Sequence, residues 1–373
     1  MTIPFAGMDN VHGSTDDAYA EVREVFAKTQ VRDAAAQLAV WAGGRLVVDL
    51  WTTDAGGGDT LTGVYSATKG ATHLVVARLV QEGALELDRR VTAWWPEFAG
   101  DGKDDLTLRD LLAHRSGLIG VDDGFGSAEL DDDRVLADRL LRQSPYWRPG
   151  RAYGYHAFVI GALLSAVVVR ATGRTVQELF PVLIKTPYGV DVHLGAPNES
   201  RYLPVLPAPV QAPAAPLPPS PLAVAFNLHA TPPTDLVAWI NRPSARALGQ
   251  SSAGGVANAR GLARMYAVTM WGADGREPLL TPDTMTSFAT LTSRGRDRVT
   301  GESRHFGLGF ENQHLRYPGL TATAFGHSGA AGSHAFADPM TGIAYAYTRR
   351  RYGHPGGAAP ENADLISAVL RAT

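Results

Sequence analysis

A serine and a lysine three residues apart, Ser66 and Lys69, lie in the segment Y-S-A-T-K-G, and apolar residues recur at helical spacing directly after it. This pattern predicts that Ser66 stands at the start of a helix, where unpaired backbone N–H groups and the helix dipole stabilise negative charge. Lys69 then lies one turn along the same face, within reach of the serine hydroxyl. A lysine whose pKa is lowered by burial can accept the hydroxyl proton, so the pair is typical of a nucleophilic serine. A serine that caps a helix beside a solvated lysine would give the same spacing.

The elements that would hold this pair come from both ends of the chain. Residues 15–29 predict a helix, and two β-rich runs, residues 37–42 and 45–51, predict a hairpin that turns at Gly43 and Gly44. Further strand-like runs appear only near the end of the chain, and the pattern between is mostly helical.

These patterns predict an α+β fold with two lobes. Residues 1–75 and 250–373 would form an antiparallel sheet flanked by helices, and residues 76–249 a mostly helical lobe, with the active site at their junction. Residues 203–221 contain eight prolines in nineteen residues, which excludes a regular helix or a central strand. This Pro-rich loop is interpreted as a surface excursion or, alternatively, as a flap over the active site.

The composition excludes several classes of function. The 373 residues include no cysteine, so disulfides, thiolate metal sites and a cysteine nucleophile are excluded. The net charge of -3, without a basic cluster among aromatic residues, argues against a nucleic-acid partner. The histidines form no close ligand set, and the run Asp131-Asp132-Asp133 is interpreted as a solvated loop, so no metal is expected. No apolar run is long enough to span a membrane, and residues 1–12 lack the pattern of a secretory signal, so we expect a cytoplasmic protein without a membrane partner.

Four segments resemble, in order, the motifs of penicillin-binding proteins and serine β-lactamases. S-A-T-K at residues 66–69 is similar to their S-x-x-K motif, and L-R-D-L-L-A-H-R-S-G-L at residues 108–118 resembles the L-L-x-H-x-S-G-L segment of the family. The segment P-G-R-A-Y-G-Y-H-A at residues 149–157 resembles the loop of the second motif, and F-G-H-S-G at residues 325–329 resembles the third. The resemblance covers about residues 35–370 and implies a β-lactamase-like fold, also called DD-peptidase-like.

Two departures from the usual motifs indicate the subfamily. Where penicillin-recognising enzymes have Tyr-x-Asn or Ser-x-Asn, this chain has Y-H-A at residues 155–157, at the start of a helical pattern over residues 155–171. The amide that would bind a substrate acylamide is therefore missing. Where they have Lys-Thr-Gly, this chain has H-S-G at residues 327–329, which replaces a permanent cation by a group that is mostly neutral near pH 7. The chain is thus most similar to the β-lactamase-like (family VIII) carboxylesterases and related acyltransferases.

The resemblance implies a role for each matched position. Ser66 is the nucleophile, Lys69 its proton acceptor, and Tyr155 exchanges protons with Lys69. The oxyanion hole would be formed by the backbone N–H groups of Ser66 and Ala330. The remaining candidates, all for substrate binding, are His156, His327, Ser328 and Gly329.

The implied function is cleavage or transfer of an acyl group from a small carboxylic ester through an acyl-Ser66 intermediate, without a cofactor. The partner is a small-molecule ester or acyl donor, and the oligomeric state is left open. One alternative is a β-lactamase, a D-alanyl-D-alanine peptidase or an amide hydrolase, and another is a non-catalytic binding or sensing protein with the same fold. The sequence contains no G-x-S-x-G, so the nucleophile elbow of the α/β-hydrolases is not a competing explanation.

Overall fold

The computed structural model describes residues 10–29, 34–195, 197–208, 215–303, 305–353 and 357–373. The strands in these ranges are β1 (Val11–Thr15), β2 (Ala36–Ala42), β3 (Arg45–Thr52), β4 (Thr62–Gly63), β5 (Val192–His193), β6 (Val256–Ala257), β7 (Glu311–Asn312), β8 (Phe325–Ser328), β9 (His334–Asp338) and β10 (Ile343–Arg349).

Seven of these strands form the main sheet, in the order β1-β3-β2-β10-β9-β8-β7, and neighbouring strands in this order run antiparallel. Strands from the two ends of the chain meet where β2 pairs with β10 along its whole length. The predicted hairpin is present as β2 and β3, which are joined by Gly43 and Gly44. Both glycines have positive φ, 54° and 78°, a conformation that glycine adopts without strain.

A smaller sheet has three strands, in the order β4-β6-β5. Its strand β4 ends at Gly63, shortly before Ser66 in the sequence. It brings Thr62–Gly63 against Val256–Ala257 from the second half of the chain. Its third strand, Val192–His193, comes from the region in which the sequence predicts mostly helices.

The helices come from the whole chain. Those described are α1 (Ala20–Thr29), α2 (Thr68–Gln81), α3 (Leu108–Leu112), α4 (Asp133–Leu141), α5 (Ile160–Thr172), α6 (Val176–Phe180), α7 (Thr186–Tyr188), α8 (Pro221–Ala225), α9 (Leu236–Ile240), α10 (Pro243–Leu248), α11 (Ala259–Trp271), α12 (Pro282–Ala289) and α13 (Asn362–Ala372).

The side chains of the sheet alternate in size as well as in direction. On β10, Ala344 and Ala346 belong to the core on which α11 packs, whereas Tyr345 and Tyr347 belong to the core shared with α1 and α13. Successive residues of a strand point to opposite faces, so β10 presents alanines to one core and tyrosines to the other. The alanines let α11 lie close to the sheet.

The larger of the two cores is continuous through both predicted lobes. It contains Ala39 of the sheet, the buried face of α2 and the apolar residues of α5. The division into a sheet lobe and a helical lobe stays a prediction. In the part of the chain described above, no helix combines the length and apolar character that crossing a bilayer requires.

Two local predictions differ from the structure. The helix predicted over residues 155–171 begins only at Ile160 and ends at Thr172, where Gly173 adopts the left-handed conformation with φ 72°. The helix predicted over residues 15–29 begins with a 3-10 turn, and the short strand Val11–Thr15 before it was not predicted. That strand is polar and lies at the sheet edge, so its sequence lacks the alternation of a half-buried strand.

Candidate active site

The nucleophile stands on a tight turn between the small sheet and α2. Tyr65–Ala67 form a 3-10 turn that runs directly into the α-helix at Thr68. Tyr65 has φ 48°, which is strained for a bulky residue, and its buried side chain is fixed by a hydrogen bond from its hydroxyl to Leu236 O at 3.2 Å. The turn leaves Ser66 partly exposed, while the residues on either side of it are buried.

Lys69 is completely buried one helical turn below the serine. Its Nζ lies 3.1 Å from Ser66 Oγ, 2.6 Å from Ala157 O and 2.9 Å from Ser252 O. A carbonyl oxygen only accepts, so a neutral amine places its two hydrogens on the two carbonyls and its lone pair faces Ser66 Oγ. Burial holds the pKa of Lys69 well below its usual value, with a smaller opposing effect from the charge of Glu311. The geometry and the lowered pKa suit Lys69 to accept the serine proton.

Tyr155 approaches the serine from the other side. Its hydroxyl donates to Ser66 Oγ at 2.7 Å, and its ring stacks on Phe306 with 6.0 Å between ring centroids and 3° between ring planes. Its backbone N–H donates to the carboxylate of Asp297, at 3.2 and 3.0 Å to the two oxygens. This bond to a residue far along the chain holds Tyr155 outside α5, which explains the late start of that helix.

His156 is turned into the protein rather than toward the serine. Its Nδ1 donates to Gly154 O at 2.7 Å, so the neutral ring accepts the Ser116 hydroxyl at Nε2, at 2.6 Å. Burial lowers the pKa of His156 to about 4, which keeps this ring neutral. Its backbone N–H donates to Nδ1 of His114, the histidine of the matched segment at residues 108–118, at 3.2 Å. His156 therefore supports the site from within the core, and its role in substrate binding stays a prediction.

The third motif lies on β8 and the turn after it. His327 is buried with its ring centroid 5.9 Å from that of Tyr155, and its Nδ1 lies 2.9 Å from Ser328 O. The Ser328 hydroxyl donates to Glu311, at 3.2 Å to both carboxylate oxygens. Its hydrogen is therefore directed at Glu311 and not at Ser66. The structure thus places His327, but not the Ser328 hydroxyl, beside the catalytic groups.

Gly329 lets the end of β8 pass close to the nucleophile turn. A Cβ at this position would lie 2.1 Å from Val64 O, so only glycine fits. The Gly329 N–H donates to Ser333 O at 2.8 Å, which leaves the N–H of the next residue, Ala330, as the group that could face a substrate. The oxyanion hole of Ser66 and Ala330 N–H groups stays a prediction.

The acidic run at residues 131–133 is not the solvated loop that the sequence predicts. Asp131 is buried, accepts from Trp239 Nε1 at 2.9 Å and pairs with Arg242 at 3.2 Å. Asp133 is also buried, and Asp132 caps the start of α4. These partners lie more than a hundred residues along the chain, so the residues around the run do not indicate that it is buried. Within the described ranges, no group of three or more histidine or acidic side chains is placed to bind a metal ion.

Sequence reasoning missed two groups that line or support the site. Asp297 also accepts the N–H groups of Val299 and Thr300, at 2.7 and 2.9 Å, and a local turn of this kind is a common role for aspartate. Phe226 follows α8, with its ring centroid 6.1 Å from that of Tyr155. Nothing in the sequence near either residue indicates its distance from Ser66.

A partly exposed serine at a helix start, bonded to a buried lysine and to a tyrosine, defines a serine acyl hydrolase of the S-x-x-K type. The chain belongs to the β-lactamase family, whose sequence model matches residues 22–368. This finding confirms the predicted relationship, and the solved structures of related proteins confirm the predicted fold.

The chain is similar to several proteins that are named as esterases. It is 32% identical to the esterase/β-lactamase LipL of Mycobacterium tuberculosis, over 94% of this chain and 85% of LipL. It superposes on EstA of Arthrobacter nitroguajacolicus Rue61a with a TM-score of 0.88 and 37% identity, covering 96% of this chain and 97% of EstA. A crystal structure of a family VIII carboxylesterase matches with a TM-score of 0.86 and 30% identity, covering 97% of this chain and all of that one.

Proposed function

We propose that this protein hydrolyses small carboxylic esters, or transfers their acyl group, through an acyl-Ser66 intermediate. The observation that carries the proposal is the position of Ser66 Oγ, 3.1 Å from Lys69 Nζ and 2.7 Å from the Tyr155 hydroxyl. The names of LipL, EstA and the family VIII carboxylesterase support esters as the substrate class.

Proton transfers follow from these contacts. Lys69 takes the proton of Ser66, and Oγ attacks the carbonyl carbon of the ester, which forms a tetrahedral oxyanion. Tyr155 gives its proton to the leaving alkoxide oxygen, the C–O bond breaks, and the ammonium of Lys69 returns a proton to Tyr155. A water or another alcohol then attacks the acyl carbon and loses its proton to the same pair, and Ser66 leaves as the hydroxyl.

The chain holds its catalytic lysine without the missing amide of the second motif. Residue 157 is alanine, yet its backbone carbonyl accepts from Lys69 at 2.6 Å. The backbone of residue 157 therefore supplies an acceptor to the lysine, but its alanine side chain offers no amide to a substrate acylamide. An ester without an acylamide loses nothing by this change.

The third motif also favours an uncharged substrate. A β-lactam carries a carboxylate that a fixed cation binds, and charge-assisted hydrogen bonds are roughly twice as strong as neutral ones. His327 replaces that cation, is buried, and directs Nδ1 to Ser328 O. At residue 327 the site therefore lacks the fixed cation that would bind the carboxylate of a β-lactam.

The test compares kcat/KM for p-nitrophenyl butyrate and for a chromogenic cephalosporin at pH 6 and pH 8. We expect kcat/KM for the ester to exceed kcat/KM for the cephalosporin at both pH values. If the cephalosporin is the better substrate at both, the β-lactamase alternative replaces the esterase proposal. If neither substrate is turned over and neither labels Ser66, the result favours the alternative of a non-catalytic binding or sensing protein. The cytoplasmic location and the absence of nucleic-acid and membrane partners stay predictions.

A further inference from the structure

One of the two carbonyl acceptors of Lys69 belongs to a turn, residues 250–253, that is tied down from several sides. Ser252 O accepts from Lys69 Nζ at 2.9 Å. The side chain of Gln250 accepts the N–H groups of Ser252 and Ala253, at 3.1 and 2.8 Å, and Thr72 Oγ1 donates to Ser251 O at 2.7 Å. The direction of the lysine lone pair therefore depends on the position of this turn.

A buried carboxylate from the start of α4 holds the centre of the turn. Asp133 accepts the Ser251 N–H at 3.2 and 3.1 Å and the Ser251 hydroxyl at 2.5 Å. Gln177 Nε2 and Ser165 Oγ also donate to it, at 2.9 and 3.3 Å. Within the described ranges no arginine, lysine or histidine forms an ion pair with this carboxylate. A carboxylate held only by neutral donors is expensive to bury, and burial raises the pKa of Asp133.

We propose that Asp133 is a positioning residue for Lys69, acting through the 250–253 turn to keep Ser252 O on the lysine amine. The proposal rests on the function proposed above. The two neighbouring acidic residues contact other groups. Asp131 pairs with Arg242, and the Asp132 side chain caps α4 by accepting the Arg134 N–H at 2.8 Å. The most direct chain of contacts from the carboxylate to the lysine passes through Ser251 and Ser252.

Loss of the carboxylate has two separate consequences for the chemistry. The turn loses its strongest side-chain bonds, so Ser252 O moves off the lysine and the lone pair is less well directed at Ser66 Oγ. Water that enters beside the loosened turn hydrates Lys69, which relaxes the pKa of the lysine toward its ordinary value. The titratable groups around Lys69, which stay in place, are Tyr155 and Glu311 together with His73, His114, His156 and His327.

The experiment measures the burst of p-nitrophenol from p-nitrophenyl acetate against pH in the wild type and in Asp133→Ala, Asp133→Asn and Asp132→Ala. Asp132→Ala is the matched control, because it weakens the start of the same helix without touching the turn. We expect Asp133→Ala to slow acylation about ten- to a hundredfold at pH 7, with the substrate concentration for half-saturation unchanged. The acidic limb of its pH–rate profile should move to higher pH by about half a unit or more, whereas Asp132→Ala should keep the acidic limb of the wild type. Asp133→Asn, which keeps the shape and one acceptor oxygen, should lie between.

The outcomes separate this inference from the proposed function. A wild type that neither shows a burst nor turns over p-nitrophenyl acetate contradicts the proposed function. The positioning role is overturned if the wild type shows a burst and the two variants Asp133→Ala and Asp132→Ala behave alike. They behave alike if their acylation rates agree within twofold and the acidic limbs of their pH–rate profiles coincide. If circular dichroism shows that Asp133→Ala does not fold, Asp133→Asn is compared with Asp132→Ala by the same two criteria.

Discussion

The hydroxyl of Tyr155 can be removed with little other change to the site. In Tyr155→Phe the ring keeps its stack on Phe306 and its contact with His114, at a centroid distance of 5.5 Å, while the 2.7 Å bond to Ser66 Oγ is lost. One such bond contributes about 0.5–1.5 kcal/mol to stability, so the melting temperature should fall only slightly. A positioned proton donor is worth about 10²–10⁴ in rate, or about 2.7–5.4 kcal/mol at 1.36 kcal/mol for each tenfold step. We therefore expect a large loss of kcat in a folded protein.

The assay is hydrolysis of p-nitrophenyl butyrate at pH 7.5, with Tyr153→Phe as the matched control. Tyr153 lies two residues away, is equally buried, and donates its hydroxyl to Gly295 O rather than to Ser66. Tyr153→Phe should keep kcat within about threefold, since only a structural bond is removed. If Tyr155→Phe keeps more than a tenth of the activity, or if the two variants lose equally, Tyr155 is not the proton donor.

Three further predictions concern the relay, the acyl pocket and acid stability. Lys69→Met should lose as much kcat/KM as Tyr155→Phe, and the double variant little more, because residues that act as one unit are non-additive; losses that multiply would show independent roles. Phe226→Ala, which removes a ring 6.1 Å from that of Tyr155, should raise kcat/KM for p-nitrophenyl octanoate relative to the acetate by about tenfold, and an unchanged ratio would exclude Phe226 from the acyl pocket. Burial lowers the pKa of His156 to about 4 and that of His334 to about 3, so below pH 6.5 the unfolded chain binds protons that the folded protein does not. Urea titrations should therefore show about 1.4 kcal/mol less stability for each histidine at pH 5.5 than at pH 7.5, and equal stability at the two pH values would contradict their burial as neutral rings.

The sequence predicts those parts of the fold whose signal is local. The β2–β3 hairpin follows from two β-rich runs separated by two glycines, and the position of Ser66 follows from the helical pattern after it. In both cases the residues that decide the structure lie within one element. The helix α11, from Ala259 to Trp271, was not singled out, although Asn258 caps it by accepting the Gly261 N–H at 2.7 Å.

The parts that the sequence did not predict depend on distant partners. Tyr155 continues the apolar pattern of α5, but it lies before that helix and its N–H donates to Asp297, far along the chain. Asp133 sits in a run of three acids that is typical of a solvated loop, yet it meets Ser251 more than a hundred residues away. The two backbone carbonyls that accept hydrogen bonds from Lys69 cannot be predicted from the sequence, because every residue has a carbonyl oxygen.

The central claim is that Ser66 carries the acyl group during turnover. The most direct test is intact-mass analysis of protein quenched in acid within milliseconds of mixing with p-nitrophenyl acetate, followed by peptide mapping. We predict one added acetyl group on Ser66, and none in Ser66→Ala. Accumulation of the adduct on another residue, or full turnover by Ser66→Ala, would contradict the account.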